Sequence, residues 1–347
     1  MFGFVKRWRV GLLGATISVL VGIFVASEIN FELLGNALKT ADFIYLLPGV
    51  VLLVAGLVAR AFRWRFLLTG DLPVGRAFHI MNIAYLVNGV LPLRIGELAR
   101  AYLASRGEAS IPIIRSLSTV IVERLLDVLA IVVMVAVALM SGPVPDELRA
   151  TGVFFGLIGC FGFLFLVVVA RHRNLAHGLL SFFVQRLPVL RRFDSTTWLN
   201  HFLDGLLPLT QIRTLLGTII WTTISWGLSA TAGYILMLMF YDRADWVATC
   251  LYIAAASFAI AVPITLGNLG VYEASIVLVL MALDIGESET QAVAFAIVVH
   301  ATNVGINVVT GIIGFIAEGI TLGQLSQGVQ KMTEGKTVEG KEVGEYA

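Results

Sequence analysis

Charged residues are scarce in this chain of 347 residues: they make up 14% of it, whereas 58% is hydrophobic. Soluble domains carry about 25% charged residues, so this composition, with a mean hydropathy of +0.90, excludes a soluble fold. No polar segment is long enough to form a second domain. The sequence therefore predicts an all-α integral membrane protein, with a polytopic membrane domain over residues 1–323.

Cysteine and histidine are also rare. Both cysteines, Cys160 and Cys250, fall inside apolar runs, which argues against a disulfide and leaves no CxxC site. The five histidines lack metal-ligand spacing, and the HExxH, GxSxG and Walker A motifs are absent. We therefore expect no cofactor, no metal site, no nucleic-acid partner and no enzymatic activity.

Long apolar runs dominate what is present. Six of them are long enough to cross a bilayer as helices. They cover residues 10–26, 43–59, 117–140, 152–170, 214–241 and 291–315. These runs predict about six full spans.

Two further apolar runs are interrupted. In the first, residues 77–91 make a helix of about 23 Å, short of the hydrocarbon thickness of about 30 Å. Asn88, Gly89 and Pro92 then weaken or end that helix. The second run, 246–283, breaks between Pro263 and Gly270, and its second arm measures only about 20 Å as a helix. Both runs predict re-entrant helical hairpins, because irregular backbone at membrane depth survives only in protein or beside a wet cavity.

The distribution of lysine and arginine sets the orientation. With both termini cytoplasmic, most of these cations collect on the cytoplasmic side, as the positive-inside rule requires. Those near the early spans are Lys6, Arg7, Arg9, Arg60, Arg63, Arg65, Arg76, Arg106 and Arg115. In this multi-pass topology the first hairpin opens from the cytoplasm and the second from outside, which predicts an inverted repeat over about 10–140 and 152–320. We expect the protein in the cell (inner) membrane.

Two segments lie outside the repeats. Residues 174–211 mix apolar and basic side chains, which favours an interfacial amphipathic segment on the cytoplasmic leaflet; a plain connecting loop is the alternative. Residues 324–347 are polar, with many glycines and charges, and predict a disordered cytoplasmic tail.

The span 117–140 carries three ionisable residues, Glu123, Arg124 and Asp127. The two carboxylates are i, i+4 neighbours, and charges within a span usually face a bundle interior, a partner or a wet path. The alternative is a structural ion-pair network with the hairpin, for instance Arg124 to Glu97 or Asp127 to Arg94. Both roles can coexist.

The first hairpin also carries Arg94 and Arg100, whose guanidinium groups suit a phosphate. The return helix begins just after Pro92, and its free N–H groups favour an anion there. Further candidate substrate-binding residues flank the two breaks and the last span. They are Asn88, Glu97, Asn268, Tyr272, Glu273, His300 and Asn303. For His300, Asn303 and Asn307, which share one helical face, a helix-packing hydrogen-bond seam is the alternative.

Three stretches together resemble a known family. They are Asn88 to Arg100, Glu123 to Asp127, and Pro263 to Glu273. The chain from about residue 10 to 322 is similar to the lysylphosphatidylglycerol synthase transmembrane region, also called the flippase-like domain family. In its bifunctional members this region translocates aminoacylated phosphatidylglycerol, while a separate soluble domain synthesises that lipid.

The sequence as given carries no synthase domain, so the resemblance implies a stand-alone member. Lipid translocation is then the implied activity, with the lysyl-lipid cargo left open. Other stand-alone members are linked to polyprenyl-phosphate sugars, glycolipids or hopanoid metabolism.

The residues and the resemblance lead to one main hypothesis. A phosphate-containing, anionic or zwitterionic lipid headgroup slides through a groove between the two hairpins while its tails stay in the bilayer. The alternative is a non-transporting partner or regulator of a lipid-modifying glycosyltransferase, docked through 174–211. A membrane phosphatase or transferase has only the in-membrane acid pair in its favour. A membrane lipid is the expected partner, and a lipid-modifying enzyme and a second copy of the chain are candidate partners.

Overall fold

A computed structural model gives the fold. It describes residues 41–333 with gaps at 91–93, 107–110, 142–145, 173, 176, 179–194, 207–208, 262–267 and 287, together with residues 35, 38 and 39. The predicted first span, 10–26, and the tips of both predicted hairpins lie outside the described residues. The described part contains helices and turns and no β-strand, which confirms the all-α prediction.

Four helices form the first half of the described chain. They are α1 (Leu46–Leu67), α2 (Val74–Val90), α3 (Gly96–Ala104) and α4 (Ile113–Ser141). α2 and α3 are the arms of the first predicted hairpin. At 17 and 9 residues they measure about 25 and 14 Å, so neither arm reaches across the hydrocarbon core.

Seven helices follow in the described part. They are α5 (Asp146–Arg171), α6 (Ser195–Leu206), α7 (Ile212–Met237), α8 (Trp246–Ala261), α9 (Val271–Ala282), α10 (Glu289–Glu318) and α11 (Leu322–Thr333). α8 and α9, the arms of the second predicted hairpin, have 16 and 12 residues and are again short. α10 has both ends marked in the sequence: Ser288 accepts a hydrogen bond from the N–H of Gln291, and Gly319 ends the helix in the left-handed region.

Among the residues that the structure describes, three helical segments are long and apolar enough to cross a membrane: Phe43–Leu67, Ile212–Met237 and Glu289–Glu318. They coincide with three of the six predicted spans. α4 and α5 cover two more predicted spans as helices of 29 and 26 residues. The predicted count of six and the re-entry of the hairpins stay predictions.

The packing of the helices repeats between the two halves. Exchanging α1 with α7, α2 with α8, α3 with α9 and α4 with α10 maps each helix pair that packs among these eight onto another pair that packs. For example, α2 packs on α10 as α4 packs on α8, while α1 and α7 pack on each other. The described part contains two apolar clusters, one around α2 and α3 and one around α8 and α9. This correspondence supports the predicted repeat, whose inverted orientation stays a prediction.

Small residues allow a close approach between α2 and α10. On α10, a Cβ at Gly311 would lie 2.5 Å from the Leu86 side chain, and one at Gly314 would lie 2.7 Å from the His79 carbonyl oxygen. Thr310 adds a hydrogen bond of 2.9 Å from its hydroxyl to the Asn82 side-chain oxygen. Small and hydroxyl-bearing residues at such contacts are typical of membrane helix pairs, because lipid supplies no hydrophobic force between helices.

The segment 174–211 contains a helix that packs on the protein itself. Leu199, Leu203 and Leu206 of α6 are spaced at i, i+4 and i+7 and are buried in the first apolar cluster, where α6 packs on α4 and α5. The described part of this segment is therefore neither a plain loop nor a helix with an unpartnered apolar face. Its contact with the membrane surface stays a prediction.

The predicted tail needs a correction. Residues 324–333 were expected to be disordered, yet they form most of α11, which packs on α3. Leu325 and Val329, one turn apart, are buried in the first apolar cluster, and Gly328 gives Tyr102 room to lie against the helix. The overall polarity of the segment concealed this apolar i, i+4 pair. Residues 334–347 lie outside the described part.

Candidate functional site

A buried ion pair joins the return arm of the first hairpin to the next long helix. Arg100 on α3 donates two hydrogen bonds to Glu123 on α4, with Nη1 to Oε2 at 2.6 Å and Nη2 to Oε1 at 3.0 Å. Both side chains are only 1% exposed. The Arg100 guanidinium also lies 3.8 Å from the centroid of the Trp64 ring, a cation–π contact. Arg100 is thus fully enclosed by protein.

A second buried arginine extends this network, although the charge pattern of the sequence predicted it at the cytoplasmic surface. Arg63, counted among the cytoplasmic cations, lies in the last two turns of α1 with its side chain 1% exposed. Its Nη1 donates to Asp127 at 2.6 Å, and its Nε lies 3.9 Å from Glu123. Trp226 of α7 also donates to Asp127, from Nε1 at 3.1 Å. Helices α1, α4 and α7 therefore meet at one carboxylate.

The pairing that was predicted between Arg124 and the hairpin is present. Arg124 lies 3.6 Å from Glu97 at the start of α3 and 3.5 Å from Asp127 within α4. Its side chain is 39% exposed, far more than that of Arg63 or Arg100. The other suggested pair, Asp127 with Arg94, is not formed, because Asp127 pairs with Arg63 and Arg124 instead.

Arg94 links the two broken segments of the chain. Its backbone has a φ of +52°, in the left-handed region that non-glycine residues rarely adopt. Its Nη2 donates a hydrogen bond of 3.0 Å to the carbonyl oxygen of Ile260, in the last turn of α8. The guanidinium is also close enough to Arg124 and Glu97 to interact electrostatically with both. The first break is thereby attached to the second hairpin.

The second half repeats this arrangement with different residues. His300 on α10 lies 2.6 Å, Nδ1 to Oε1, from Glu273 on α9, as Glu123 on α4 pairs with Arg100 on α3. Glu273 also accepts a hydrogen bond of 2.8 Å from the N–H of Gly270, which stabilises the first turn of α9. Tyr272 lies against His300 with ring centroids 4.5 Å apart. Asn268, with a φ of +58°, is left-handed like Arg94.

Two predicted polar residues serve local structure. The Asn88 side-chain oxygen accepts a hydrogen bond of 2.8 Å from the N–H of Gly96, which ties the end of α2 to the start of α3. Asn303 donates to the Val299 carbonyl oxygen in its own helix, at 2.9 Å. The predicted site residues therefore separate into a group around Arg94, Glu97, Glu123 and Asp127 and a second group around Glu273.

The burial of these groups decides what each can do. Arg63, Arg100 and Glu123 face one another inside the protein, so they position the helices α1, α3 and α4 relative to one another. Arg94 and Arg124 are partly exposed and retain N–H groups that can reach an anion. Within the ranges that the structure covers, no group of three histidine, cysteine or carboxylate side chains is arranged to hold a metal ion. The arrangement is suited to binding an anionic group beside the first hairpin.

Sequence reasoning missed Arg63, and with it Trp64 and Trp226. A usable signal was present, because α1 continues for two turns beyond residue 59 and places Arg60 and Arg63 on one face at i, i+3 spacing. The positive-inside rule predicted both cations at the cytoplasmic surface, whereas the Arg63 side chain is buried. Only the tertiary structure shows that Arg63 turns inward.

One of the comparisons with known proteins identifies a family for this chain. The family model described as the lysylphosphatidylglycerol synthase TM region matches residues 11–311, most of the chain. Searches of the curated proteins and of the solved structures found no match to it. The family match includes both breaks and the ion network between α1, α3 and α4.

Proposed function

Because the chain belongs to the lysylphosphatidylglycerol synthase TM region family, a family of membrane domains related to lipid synthesis and flipping, we propose that it is a lipid flippase of the cell membrane. It moves a phosphate-containing headgroup between leaflets while the lipid tails remain in the bilayer. The protein performs no covalent chemistry on the lipid. Both termini face the cytoplasm in this proposal.

The hydrogen bond from Arg94 to the Ile260 carbonyl oxygen carries the proposal. It joins the break of the first hairpin to the C-terminal end of α8, which is the first arm of the second hairpin. Broken helices in corresponding positions of two halves are where transporters place their substrate sites, near the bilayer midplane. A guanidinium at that junction is the side chain best suited to a phosphate.

The surrounding charges support a division of roles. Arg94 and Arg124 contact the phosphate, and Glu97 pairs with Arg124 when the site is empty. The buried pair of Arg100 and Glu123 holds α3 on α4, so that the return arm keeps its position during transport. The Glu273 and His300 pair does the same for α9 on α10.

Two carboxylates of this site bear on whether the protein performs chemistry on the lipid. Glu123 and Asp127 are the acid pair that a membrane phosphatase or transferase would need. Each is held in ion pairs with arginine, Glu123 at 1% exposure, so neither serves well as a general acid or base. A turnover assay with a phospholipid and the purified protein is expected to give no product.

Replacing Arg94 tests the flippase proposal. Arg94→Ala in vesicles that contain a fluorescent phospholipid is expected to reduce translocation to the rate of protein-free vesicles, measured by dithionite quenching of the outer leaflet. The reason is that the variant loses both the phosphate donor and the contact with Ile260. Arg94→Lys keeps the charge but loses the planar fork, so it is expected to be only partly active.

The matched control is Arg65→Ala, because Arg65 is an exposed arginine at the cytoplasmic end of α1. It is expected to translocate lipid like the unchanged protein. All variants are compared only if they elute as single species on size-exclusion chromatography. Full translocation by a folded Arg94→Ala variant would contradict the proposal, as would a lack of translocation by the unchanged protein.

A further inference from the structure

The group of charges at the first hairpin contains more arginines than carboxylates. In the described part of the chain its arginines are Arg60, Arg63, Arg94, Arg100 and Arg124, and its carboxylates are Glu97, Glu123 and Asp127. The neighbouring tip segments, 91–93 and 262–267, contain no charged residue in their sequence. Among the residues that the structure describes, the group therefore has five arginines against three carboxylates, an excess of two positive charges.

The ion pairs show which arginines carry the excess. Arg100 pairs with Glu123, Arg63 pairs with Asp127, and Arg124 is shared between Glu97 and Asp127. Arg60 and Arg94 have no carboxylate within 4.0 Å among the residues that the structure describes. Both side chains are half-buried, so neither is fully solvated.

Arg60 is attached to the group through a tryptophan ring. Its guanidinium carbon lies 6.0 Å from the centroid of the Trp226 ring, at the outer limit of a cation–π contact. The same indole donates from Nε1 to Asp127, which Arg60 is close enough to influence electrostatically. Arg60 also lies one turn before Arg63 on α1, facing the same side. Arg60 is therefore positioned at the edge of the group around Asp127, the carboxylate that pairs with both Arg63 and Arg124.

An unmatched positive charge inside a membrane protein is costly, and it is normally paired or exposed to a water-filled path. A zwitterionic headgroup adds no net charge and leaves both arginines unmatched. A phosphodiester neutralises one of them. A phosphomonoester, which carries close to two negative charges at neutral pH, neutralises both.

We propose, on the basis of the flippase function, that the site selects a headgroup with about two negative charges, a phosphomonoester or a diphosphate, and that Arg60 binds it together with Arg94 and Arg124. This assigns Arg60 a role in selecting the headgroup. It also narrows the substrate from any phosphate-containing lipid to the dianionic ones.

Binding to the full-length protein in neutral detergent tests the proposal. Isothermal titration compares short-chain phosphatidic acid, phosphatidylglycerol and phosphatidylcholine, whose headgroups carry about two, one and no net negative charges. We expect phosphatidic acid to bind most tightly and phosphatidylcholine most weakly, with about a tenfold change in Kd for each step, the effect of one charge-assisted hydrogen bond. Inorganic phosphate is expected to bind more weakly than phosphatidic acid, because it lacks the apolar tails.

Substitution of Arg60 tests whether this residue selects the headgroup. Arg60→Gln is expected to remove the preference of phosphatidic acid over phosphatidylglycerol, since one of the two unmatched charges is lost. Arg65→Gln changes the same charge on the same helix at an exposed position and is expected to keep the preference. Equal affinity for the three lipids, or an unchanged preference in folded Arg60→Gln, would overturn the proposal. Inorganic phosphate binding as tightly as phosphatidic acid would overturn the assignment to a lipid.

Translocation of the same three lipids separates this proposal from the flippase function. Ordered binding without translocation would contradict the flippase function and leave the headgroup selection standing. Translocation at equal rates for all three lipids, with equal affinities, would contradict the headgroup selection and leave the flippase function standing.

Discussion

At the scale of single residues, the arginines near the first hairpin have different roles because their burial differs. Arg100 and Arg63 are 1% exposed and paired, whereas Arg124 is 39% exposed. A buried ion pair contributes little net stability over an apolar pair, but removing one partner leaves a buried charge unpaired. The expected effect of a substitution therefore depends on whether one or both partners change.

Arg100→Ala is expected to destabilise the protein by about 3–5 kcal/mol, because it leaves Glu123 buried without its main partner. The double substitution Arg100→Met with Glu123→Leu is expected to recover most of that loss, since both charges are removed together. Thermal unfolding in detergent, followed by tryptophan fluorescence, measures both. If the double variant is as unstable as Arg100→Ala, the ion pair contributes stability that an apolar pair does not replace, and the prediction is wrong.

At the scale of helices, each return arm is tied to the following long helix by contacts between ionisable side chains. Arg100 on α3 meets Glu123 on α4, and Glu273 on α9 meets His300 on α10. The same two helix pairs correspond under the exchange of halves. The arms are too short to be held by the bilayer as spans, so their position depends on such contacts.

The contact of α10 with α2 gives a sharp test at this scale. Gly314→Ala is expected to destabilise the protein by about 1–3 kcal/mol, because the added Cβ would lie 2.7 Å from the His79 carbonyl oxygen, which cannot move without its helix. Gly305→Ala is the control: it lies on the same helix with nothing within 4 Å of the added Cβ. It is expected to be neutral or slightly stabilising, since alanine favours helix. Equal unfolding temperatures for the two variants would contradict this packing.

At the scale of the whole molecule, the pairing of helices is unchanged when the two halves are exchanged. Together with the positive-inside pattern, this favours two hairpins that enter the membrane from opposite sides. A hairpin that re-enters has both ends on one side, whereas one that crosses has them on opposite sides. Single cysteines at the ends of the hairpins distinguish the two topologies.

The single cysteines are introduced into a variant without Cys160 and Cys250. Gly75→Cys and Arg106→Cys probe the ends of the first hairpin. Asp242→Cys and Glu289→Cys probe those of the second, and all four positions are exposed. An impermeant maleimide added to intact cells is expected to label the second pair only, and permeabilised cells are expected to label all four. Labelling of one member of either pair, but not the other, in intact cells would show that the hairpin crosses. That result would also contradict the proposed flippase mechanism.

Much of the fold could be predicted because it depends on local composition. The ends of α10, next to Ser288 and Gly319, lie within a few residues of the apolar run 291–315, since bilayer thickness and capping act on neighbouring residues. The disorder predicted for 324–333 was wrong because a single apolar pair, Leu325 and Val329, finds a partner in α3. Composition averages over a segment, whereas packing depends on two residues meeting a distant surface.

By itself, the sequence determined the membrane class, the apolar helices, the two breaks and the ionisable residues near them. Only the tertiary structure decided that Arg63 turns inward to Asp127, that Arg100 is enclosed by Glu123 and Trp64, and that Arg94 reaches Ile260. The structure was needed for these contacts because their partners are far apart along the chain. Hydrophobicity and helix capping act between neighbours, whereas ion pairs and side-chain hydrogen bonds select among all partners that folding brings together, such as Arg94 and Ile260, which are 166 residues apart.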